Sequence, residues 1–366
     1  MMNDMRVLLM GPYPPPHGGV QTNLVALRQL LRARGIPCPV INLTRHRRAE
    51  DEEIYYPQNV FQVLGLLVRL RYDIIHLHIG GNLSGRLLLL ALVCCLLPRR
   101  RTVLTFHSGG YPSSEVGQSA APRTFRGFVL RRFDRIISVN QELSQLFRKF
   151  GVAPERIRLI YPHAISLDSF GTSLPDELAQ FFQAHKPTLV TVSGLEPEYE
   201  VPLQIDVLAA VRERFPQAGL VIIGAGSLEA EISQKIESKP YAEHILLCGD
   251  MPHAITLRAI AESDLLLRTT QYDGDSISVR EALLSGTPVI ATDNGMRPAG
   301  TYLIPRPEPD ALRQAIEQVL TQDAGKKPCG DAGEQNLAAV FELYQELRAE
   351  IAARKSLARD LVRTNR

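Results

Sequence analysis

The chain has 366 residues, of which 45% are hydrophobic and 22% are charged. This is the composition of a soluble globular protein, and the length suffices for two domains. The five cysteines show no metal-binding or redox spacing, so they read as reduced, buried thiols of a cytoplasmic protein. The net charge of +2 hides an asymmetry: residues 1–170 carry 22 Lys and Arg against 11 Asp and Glu, and the remainder carries 19 against 28.

The amino-terminal half alternates apolar strands with helical patterns, which indicates a parallel sheet covered on both faces. The chain runs directly into its first strand, so no signal peptide is expected. The polar stretch before Tyr56 predicts a loop. The eleven-residue apolar run Leu87 to Leu97 predicts a buried helix, because a membrane span needs roughly 20 apolar residues. The predicted strands are 6–11, 39–43, 73–78, 103–107, 135–139 and 157–161, and further helices are predicted over 20–34 and 59–71.

The alternation stops over 162–170, which predicts a linker, and restarts at Thr188. A long basic amphipathic helix is predicted from about Gln335. The chain therefore reads as two Rossmann-like α/β domains, 1–168 and 169–339, with a tail helix over about 340–366. The strands predicted in the second domain are 188–192, 219–224, 244–248, 264–268, 288–292 and 302–304.

The most informative segment is 268–292, in which a strand, an acidic turn, a helix, a Gly-Thr-Pro stop and a second strand follow one another. Asp273 and Glu281 are separated by seven residues across the turn. Open α/β sheets bind ligands at this edge, where free amides suit a phosphate and carboxylates suit the hydroxyl groups of a sugar. A second interpretation is a capping box from Ser278 to Glu281, in which Glu281 satisfies only a backbone donor.

This segment resembles the nucleotide-sugar half of retaining GT-B glycosyltransferases of family 4, whose hallmark is two acids at this spacing. The resemblance implies two facing Rossmann-like domains with parallel sheets, and a C-terminal helix that crosses back to the first domain. It also implies that Asp273, where the family more often has Glu, contacts hydroxyls of the transferred sugar as a catalytic residue. Glu281 would contact the ribose. The amides that would face the sugar and diphosphate belong to Gly274, Asp275 and Ser276.

Other loop positions match the same family. Gly18 and Gly19 follow the first strand, where the family has a glycine-rich loop. His107 ends the fourth predicted long strand, where the family often has a histidine near the transferred sugar, although a strand-end histidine can also simply bond backbone. Asp250 and Met251 lie where the family holds the base. His76 and His78 lie on the predicted strand 73–78, which precedes the strand that ends at His107. His76 is expected to be structural, and His78 is expected to line the cleft between the two domains.

One loop departs from the family. Residues 193–200 carry Gly194 and Tyr199 where the family usually has an Arg and a Lys that neutralise the diphosphate. Three acids in this loop would repel a diphosphate by several kcal/mol if they were desolvated and unpaired. Arg268 and Arg297 are expected to replace the missing cations, because each lies at or just beyond the end of a strand. Arg280 is expected to point along the helix exterior.

The resemblance and the charge asymmetry predict a cytoplasmic enzyme, peripheral on the inner membrane face. It would move a sugar from a nucleoside-diphosphate sugar to a lipid-linked or glycan acceptor with retention, using no metal or other cofactor. The pattern shows no nucleic-acid signature. A degenerate subunit that scaffolds a polysaccharide assembly complex is the alternative, and a GT-B epimerase ranks last. The features that indicate an anionic membrane surface are Arg45–Arg48, Arg99–Arg101 and Arg123–Arg135, with Phe125, Phe128 and Phe133.

Overall fold

A computed structural model describes residues 5–15, 17–44, 53–162, 172–270, 276–322 and 333–364. The chain divides into two compact units. The first unit comprises residues 1–15, 20–164 and 334–366, and the second comprises 16–19 and 165–333. Both units are built on parallel sheets, so the predicted α/β class with two Rossmann-like units is confirmed.

The first unit has a seven-stranded parallel sheet within the described residues, in the order β3-β2-β1-β4-β5-β6-β7. Its central strands are buried on both faces because helices cover the sheet on each side. The strands are β1 (Val7–Gly11), β2 (Val40–Asn42), β3 (Ile54–Tyr55), β4 (Ile74–Ile79), β5 (Arg101–Phe106), β6 (Arg135–Ser138) and β7 (Ile157–Leu159). The helices between them are α1 (Gly19–Ala33), α2 (Val60–Arg69), α3 (Gly85–Leu96), α4 (Glu115–Gln118), α5 (Phe125–Leu130) and α6 (Gln141–Lys149).

Strand β3 corrects the last part of the loop predicted up to Tyr56, whereas residues 45–52 of that loop lie outside the described residues. Ile54 and Tyr55 pair in parallel with Val40 and Ile41 at the edge of the sheet. A two-residue strand is too short to produce an alternating pattern, so only its tertiary pairing reveals it.

The helices of the first unit form two layers. α2, α3, α5 and α6 pack their apolar sides into one core that covers one face of the sheet. α1 packs into a separate core on the other face. Asparagine side chains start two helices of the first layer: Asn59 accepts a hydrogen bond from Gln62 N at 3.0 Å, and Asn140 accepts one from Leu143 N at 2.8 Å.

The second unit has a parallel sheet of six described strands in the order β10-β9-β8-β11-β12-β13. Two apolar cores, one on each face, are formed with the surrounding helices. The strands are β8 (Thr188–Val192), β9 (Gly219–Ile223), β10 (Ile245–Gly249), β11 (Leu265–Arg268), β12 (Val289–Thr292) and β13 (Tyr302–Ile304). The helices are α7 (Asp176–Ala184), α8 (Val201–Arg214), α9 (Glu229–Glu237), α10 (His253–Glu262), α11 (Ile277–Ser285) and α12 (Pro309–Thr321).

The tail helix α13 (Glu334–Thr364) belongs to the first unit and completes its second core. Leu343 and Leu347 are buried against α1 and the sheet. The buried hydroxyl of Tyr344 lies 2.5 Å from Nδ1 of His76 on β4, so the helix is joined to the sheet by a polar contact inside an apolar core. Glu350 adds ion pairs to Arg101 and Arg135. No helix in the described part of the chain is long and apolar enough to cross a bilayer.

Candidate functional site

Three neighbouring strands of the second unit end side by side. β8, β11 and β12 are adjacent and parallel, so their last residues, Val192, Arg268 and Thr292, lie along one edge of the sheet. In the sequence, the predicted acidic turn comes soon after β11. Three of its predicted site residues, Asp273, Gly274 and Asp275, lie outside the described residues. Helix α11 begins just after them, with Ser276 as its N-cap.

Glu281 is the buried carboxylate of this edge, with 2% of its surface exposed. Its Oε1 accepts a hydrogen bond of 2.6 Å from Nε2 of His253, the first residue of α10. Its Oε2 accepts no hydrogen bond from the described residues. The capping-box interpretation is wrong, because α11 begins at Ile277 and Glu281 therefore lies beyond the start of the helix. A carboxylate that is held through one oxygen can accept hydrogen bonds from hydroxyl groups on the other.

His253 is a residue that the sequence analysis missed. Burial lowers the pKa of its imidazole, but the hydrogen bond to Glu281 and the negative charge of that carboxylate outweigh burial and raise the pKa overall. The two residues are 28 positions apart and belong to different helices. Only the packing of α10 against α11 brings them together, so no local pattern in the sequence could have paired them.

The two arginines expected to replace the missing cations are both anchored by backbone carbonyls. Arg268 donates to the Val192 carbonyl at 2.6 Å, and its guanidinium lies 4.8 Å from the centre of the Tyr199 ring. Tyr199 stands in the loop that lacks the basic pair, so a guanidinium is present beside that loop. Arg297 donates to the carbonyls of Thr292 and Thr270 at 3.0 and 2.7 Å. Arg280 is half-buried and engaged with other residues.

The acids of the loop after β8 are arranged differently from one another. Glu198 and Glu200 are exposed to solvent. Glu196 accepts hydrogen bonds from the backbone N–H of Ser227, at 2.9 Å, and from its hydroxyl. These bonds lower the pKa of Glu196, so its charge is stabilised locally. The turn that carries Ser227 starts at Gly224, where φ is +142° and an added Cβ would lie 1.8 Å from the Ser193 carbonyl oxygen.

Asp250, predicted to lie near the base, is bound by the glycine-rich loop. Residues 16–19 group with the second unit. The backbone N–H of His17 donates to both carboxylate oxygens of Asp250, at 3.0 and 3.2 Å, and His17 Nδ1 lies 3.1 Å from Oδ2. Met251, the other residue predicted there, packs at the margin of an apolar core of this unit. Of the predicted glycines, Gly18 is half-buried and Gly19 is exposed at the first residue of α1.

Three histidines lie on neighbouring strands of the first unit. His76 and His78 are buried on β4. β5 ends at Phe106, one residue before the predicted end, so His107 directly follows the strand. His76 bonds Tyr344 and, through Nε2, the hydroxyl of Thr105 at 2.7 Å, which is a structural role. His78 Nδ1 lies 3.3 Å from His107 Nε2, and the two rings stack with centres 5.6 Å apart. The backbone N–H of His107 donates to Ile79.

Two family models match the chain. The model described as "Glycosyltransferase Family 4" matches residues 17–163, and the model described as "Glycosyl transferases group 1" matches residues 177–336. The two matches follow the two halves of the molecule. The chain is a family 4 glycosyltransferase with the GT-B fold.

Curated relatives are similar to this glycosyltransferase over most of their length. A phosphatidyl-myo-inositol mannosyltransferase of Mycobacterium leprae is 25% identical, with 87% of this chain and 88% of the relative covered. A GDP-mannose-dependent α-(1-6)-phosphatidylinositol monomannoside mannosyltransferase of Mycolicibacterium smegmatis is 24% identical, with 89% and 92% covered.

Solved structures share the fold of this glycosyltransferase. Anabaena HepE in complex with UDP-glucose aligns with a TM-score of 0.64 at 18% identity, over 96% of this chain and 99% of that one. Sucrose-phosphate synthase from Thermosynechococcus elongatus also aligns with a TM-score of 0.64 at 18% identity, over 98% and 100%.

The basic surface predicted for the first unit is smaller than the sequence indicates. Arg101 is buried and pairs with Asp134 and Glu350, because it starts a central strand next to α13. Phe133 is buried in the core rather than exposed. Phe125 and Phe128 are exposed on α5 as predicted. The cluster Arg45–Arg48 lies outside the described residues.

The glycosyltransferase shows no cluster of three or more His, Cys, Asp or Glu side chains able to hold a metal ion among its described residues. Its described cysteines are free thiols, with Cys38 and Cys94 buried and Cys95 and Cys248 partly buried. Burial raises the pKa of the Cys94 thiol to about 12, so this thiol is not a nucleophile near neutral pH.

The pair formed by His253 and Glu281 predicts a specific pH dependence of stability. A histidine with a raised pKa contributes stability that is fully present below its usual pKa of 6.5 and is lost as pH rises through the raised value. The difference in unfolding free energy between the native chain and His253→Gln should therefore be larger at about pH 6 than at about pH 9, measured by urea unfolding.

His244→Gln is the matched control in the same unit. Burial lowers the pKa of His244, so its trend with pH should have the opposite sign. Equal differences at both pH values for His253→Gln would contradict the charged pair.

Proposed function

We propose that this glycosyltransferase transfers a sugar from a nucleoside-diphosphate sugar to a lipid-linked or glycan acceptor, with retention of anomeric configuration. The observation that carries the proposal is the buried Glu281 carboxylate, held by His253 through one oxygen and available through the other. A ribose has two adjacent hydroxyl groups, and one carboxylate oxygen can accept a hydrogen bond from each of them. Asp273, seven residues earlier across the turn, would contact hydroxyls of the transferred sugar.

The diphosphate would be held at the start of α11. The side chain of the N-cap residue Ser276 accepts no capping hydrogen bond. The first N–H groups of this nine-residue helix therefore do not donate to that side chain. Amides at a helix start favour an anion, and the amides of Gly274, Asp275 and Ser276 precede or begin this helix. Arg268 and Arg297, both anchored at the same edge of the sheet, would supply the positive charge that the loop after β8 lacks.

Catalysis would rest on positioning and on stabilising the departing diphosphate. No protein nucleophile is needed, and His107 would provide a polar group next to the transferred sugar. Metal independence is part of the proposal, since two guanidinium groups and a helix start can stabilise a diphosphate without a divalent ion. No cofactor beyond the sugar nucleotide is proposed.

The proposal of a lipid-linked acceptor is supported by the surface of the first unit. α2, α3 and α5 cover the same face of the sheet and carry exposed apolar side chains. On α2, Phe61 is 80% exposed and Val68 is 78% exposed. Just after α5, the guanidinium of Arg132 lies 3.5 Å from the centre of the exposed ring of Phe128, which is on α5. Apolar side chains among arginines are suited to an anionic membrane surface, and we propose that this surface is the cytoplasmic face of the membrane. The two mannosyltransferase relatives are named for phosphatidylinositol-based acceptors.

A screen of UDP- and GDP-sugars by thermal shift, followed by transfer or hydrolysis assays with and without chelator, tests the proposed reaction. Glu281→Gln and Asp273→Asn should lower turnover with the best donor by at least about tenfold, because each loses an anionic acceptor for sugar hydroxyls. Turnover should be unchanged by chelator. Glu262→Gln, on the surface of α10 and paired with Arg258, should behave like the native chain.

The screen also separates the catalytic proposal from the scaffold alternative, which the acidic loop after β8 favours. No stabilisation by any sugar nucleotide would support a subunit that has lost the donor site. Full activity in both Glu281→Gln and Asp273→Asn would refute the assignment of the two acids.

Neutral replacements test the cation substitution separately. Arg268→Gln and Arg297→Gln should each weaken binding of the sugar nucleotide by at least about tenfold, because a charge facing the diphosphate is removed. Arg313→Gln on α12, whose partners are Glu317 and Asp310, is the control of equal charge change. Titration calorimetry gives the dissociation constants, and unchanged affinity in both variants would remove these arginines from the site.

The membrane proposal is tested with vesicles that contain phosphatidylglycerol. The double variant Phe61→Ser and Val68→Ser should reduce sedimentation with vesicles by about tenfold, because two exposed apolar side chains no longer insert. Leu303→Ser, which removes an exposed apolar side chain from the second unit, is the control. Vesicle binding that is unchanged both in the double variant and at high salt would contradict the proposal that this surface binds the membrane.

A further inference from the structure

The first unit contains a buried nitrogen with no partner. Nε2 of His78 makes no hydrogen bond within the described part of the chain, although its residue is only 1% exposed. Two other imidazoles lie next to this ring: the His76 ring is tilted against it with centres 4.1 Å apart, and the His107 ring stacks on it with centres 5.6 Å apart. An added Cβ at Gly11 would lie 2.9 Å from the His78 Cβ, so the strand β1 provides space for this histidine only because residue 11 is glycine.

Both imidazoles of the contact between His78 and His107 are neutral near pH 7. Burial and the neighbouring histidines hold the pKa of His78 well below its usual value, and burial lowers the pKa of His107 to about 3. A neutral imidazole has one N–H and one bare nitrogen. In the hydrogen bond of 3.3 Å between His78 Nδ1 and His107 Nε2, one ring must therefore donate and the other accept.

The partnerless nitrogen decides between the two arrangements. If His107 donated from its Nε2, Nδ1 of His78 would be the acceptor. The proton of His78 would then be on Nε2 of His78, which would be a buried N–H without an acceptor. If His78 donates from Nδ1, its Nε2 is a bare lone pair. Buried donors without partners are rarer in proteins than acceptors without partners, so the second arrangement is favoured.

We propose that His78 is a positioning residue that fixes His107 as the tautomer protonated on Nδ1. His78 donates to Nε2 of His107, and that nitrogen is thereby occupied. No described residue provides a hydrogen-bond partner for His107 Nδ1. His107 therefore presents an N–H donor at the carboxyl edge of the sheet and cannot act as a base through Nε2.

The consequence for catalysis rests on the proposed function. An N–H at this position would donate to a hydroxyl or phosphate oxygen of the substrate, whereas the other tautomer would present a bare nitrogen to the same atom. Loss of the tautomer preference would therefore lower turnover more than it alters affinity for the sugar nucleotide.

Nitrogen-15 NMR of the full chain labelled at histidine tests the tautomer directly. The chain has nine histidines, and the signals of His107 are assigned by their loss in His107→Gln. In the native chain, His107 should show the shift of a protonated Nδ1 and a bare Nε2. In His78→Phe, which keeps a ring but has no donor, His107 should move to a mixture of tautomers.

Two variants complete the design. The side-chain amide of His78→Asn lies near the position of Nδ1 and can donate, so it should restore the native shift. Tyr344→Phe removes the hydroxyl bonded to His76 but leaves His78 and His107 intact, so it should leave His107 unchanged. Thermal unfolding of each variant confirms that it is folded.

Activity provides the second measurement. With a donor found by the screen, His78→Phe should lower kcat by at least about tenfold with little change in KM, and His78→Asn should recover most of it. A native His107 protonated on Nε2, or an unchanged His107 tautomer in His78→Phe, would overturn the proposal. If the NMR shifts of His107 behave as expected in every variant but the native chain shows no activity with any donor, the result would count against the proposed function alone.

Discussion

The strand pairs that the structure describes are parallel in both sheets, and this constraint determines where chemistry can occur in the molecule. Parallel strands end at one common edge, so the loops that follow them collect side chains from distant parts of the sequence. In the second unit this edge brings Arg268 and Arg297 to the same side as Glu281. In the first unit it places His107 beside His78. Arg268 and His78 stand on the buried strands themselves, and His107 follows one directly.

The fold was largely predictable because apolar runs and helical periodicity are local signals. The bounds of β8 and β13 are those that the sequence predicts, since each is a short, largely apolar run with a proline at one end and a hydroxyl residue at the other. β3 was missed because two residues carry no pattern. Phe133 was expected at the surface because its neighbours are arginines, yet its side chain is buried in the core from the short segment between α5 and β6.

The site was predictable only in part, because its polar contacts link residues that are far apart in sequence. Glu281 was found through its spacing from Asp273, but the partner that holds it, His253, belongs to another helix. The bond between His17 and Asp250 spans 233 positions, so no local motif predicts it. Asp273 keeps the role implied by the family resemblance, as a prediction.

The contact between Tyr344 and His76 has a consequence for the order in which the protein matures. The core on one face of the amino-terminal sheet includes Tyr344 and Leu347, near the end of the chain. During synthesis, the second unit emerges with all of its strands and helices while the first unit still lacks one wall. The unit that contains most of the earlier residues is therefore completed after the later unit. Until the tail helix packs, Nδ1 of His76 lacks its tyrosine partner, and the apolar surface beside it stays open to solvent.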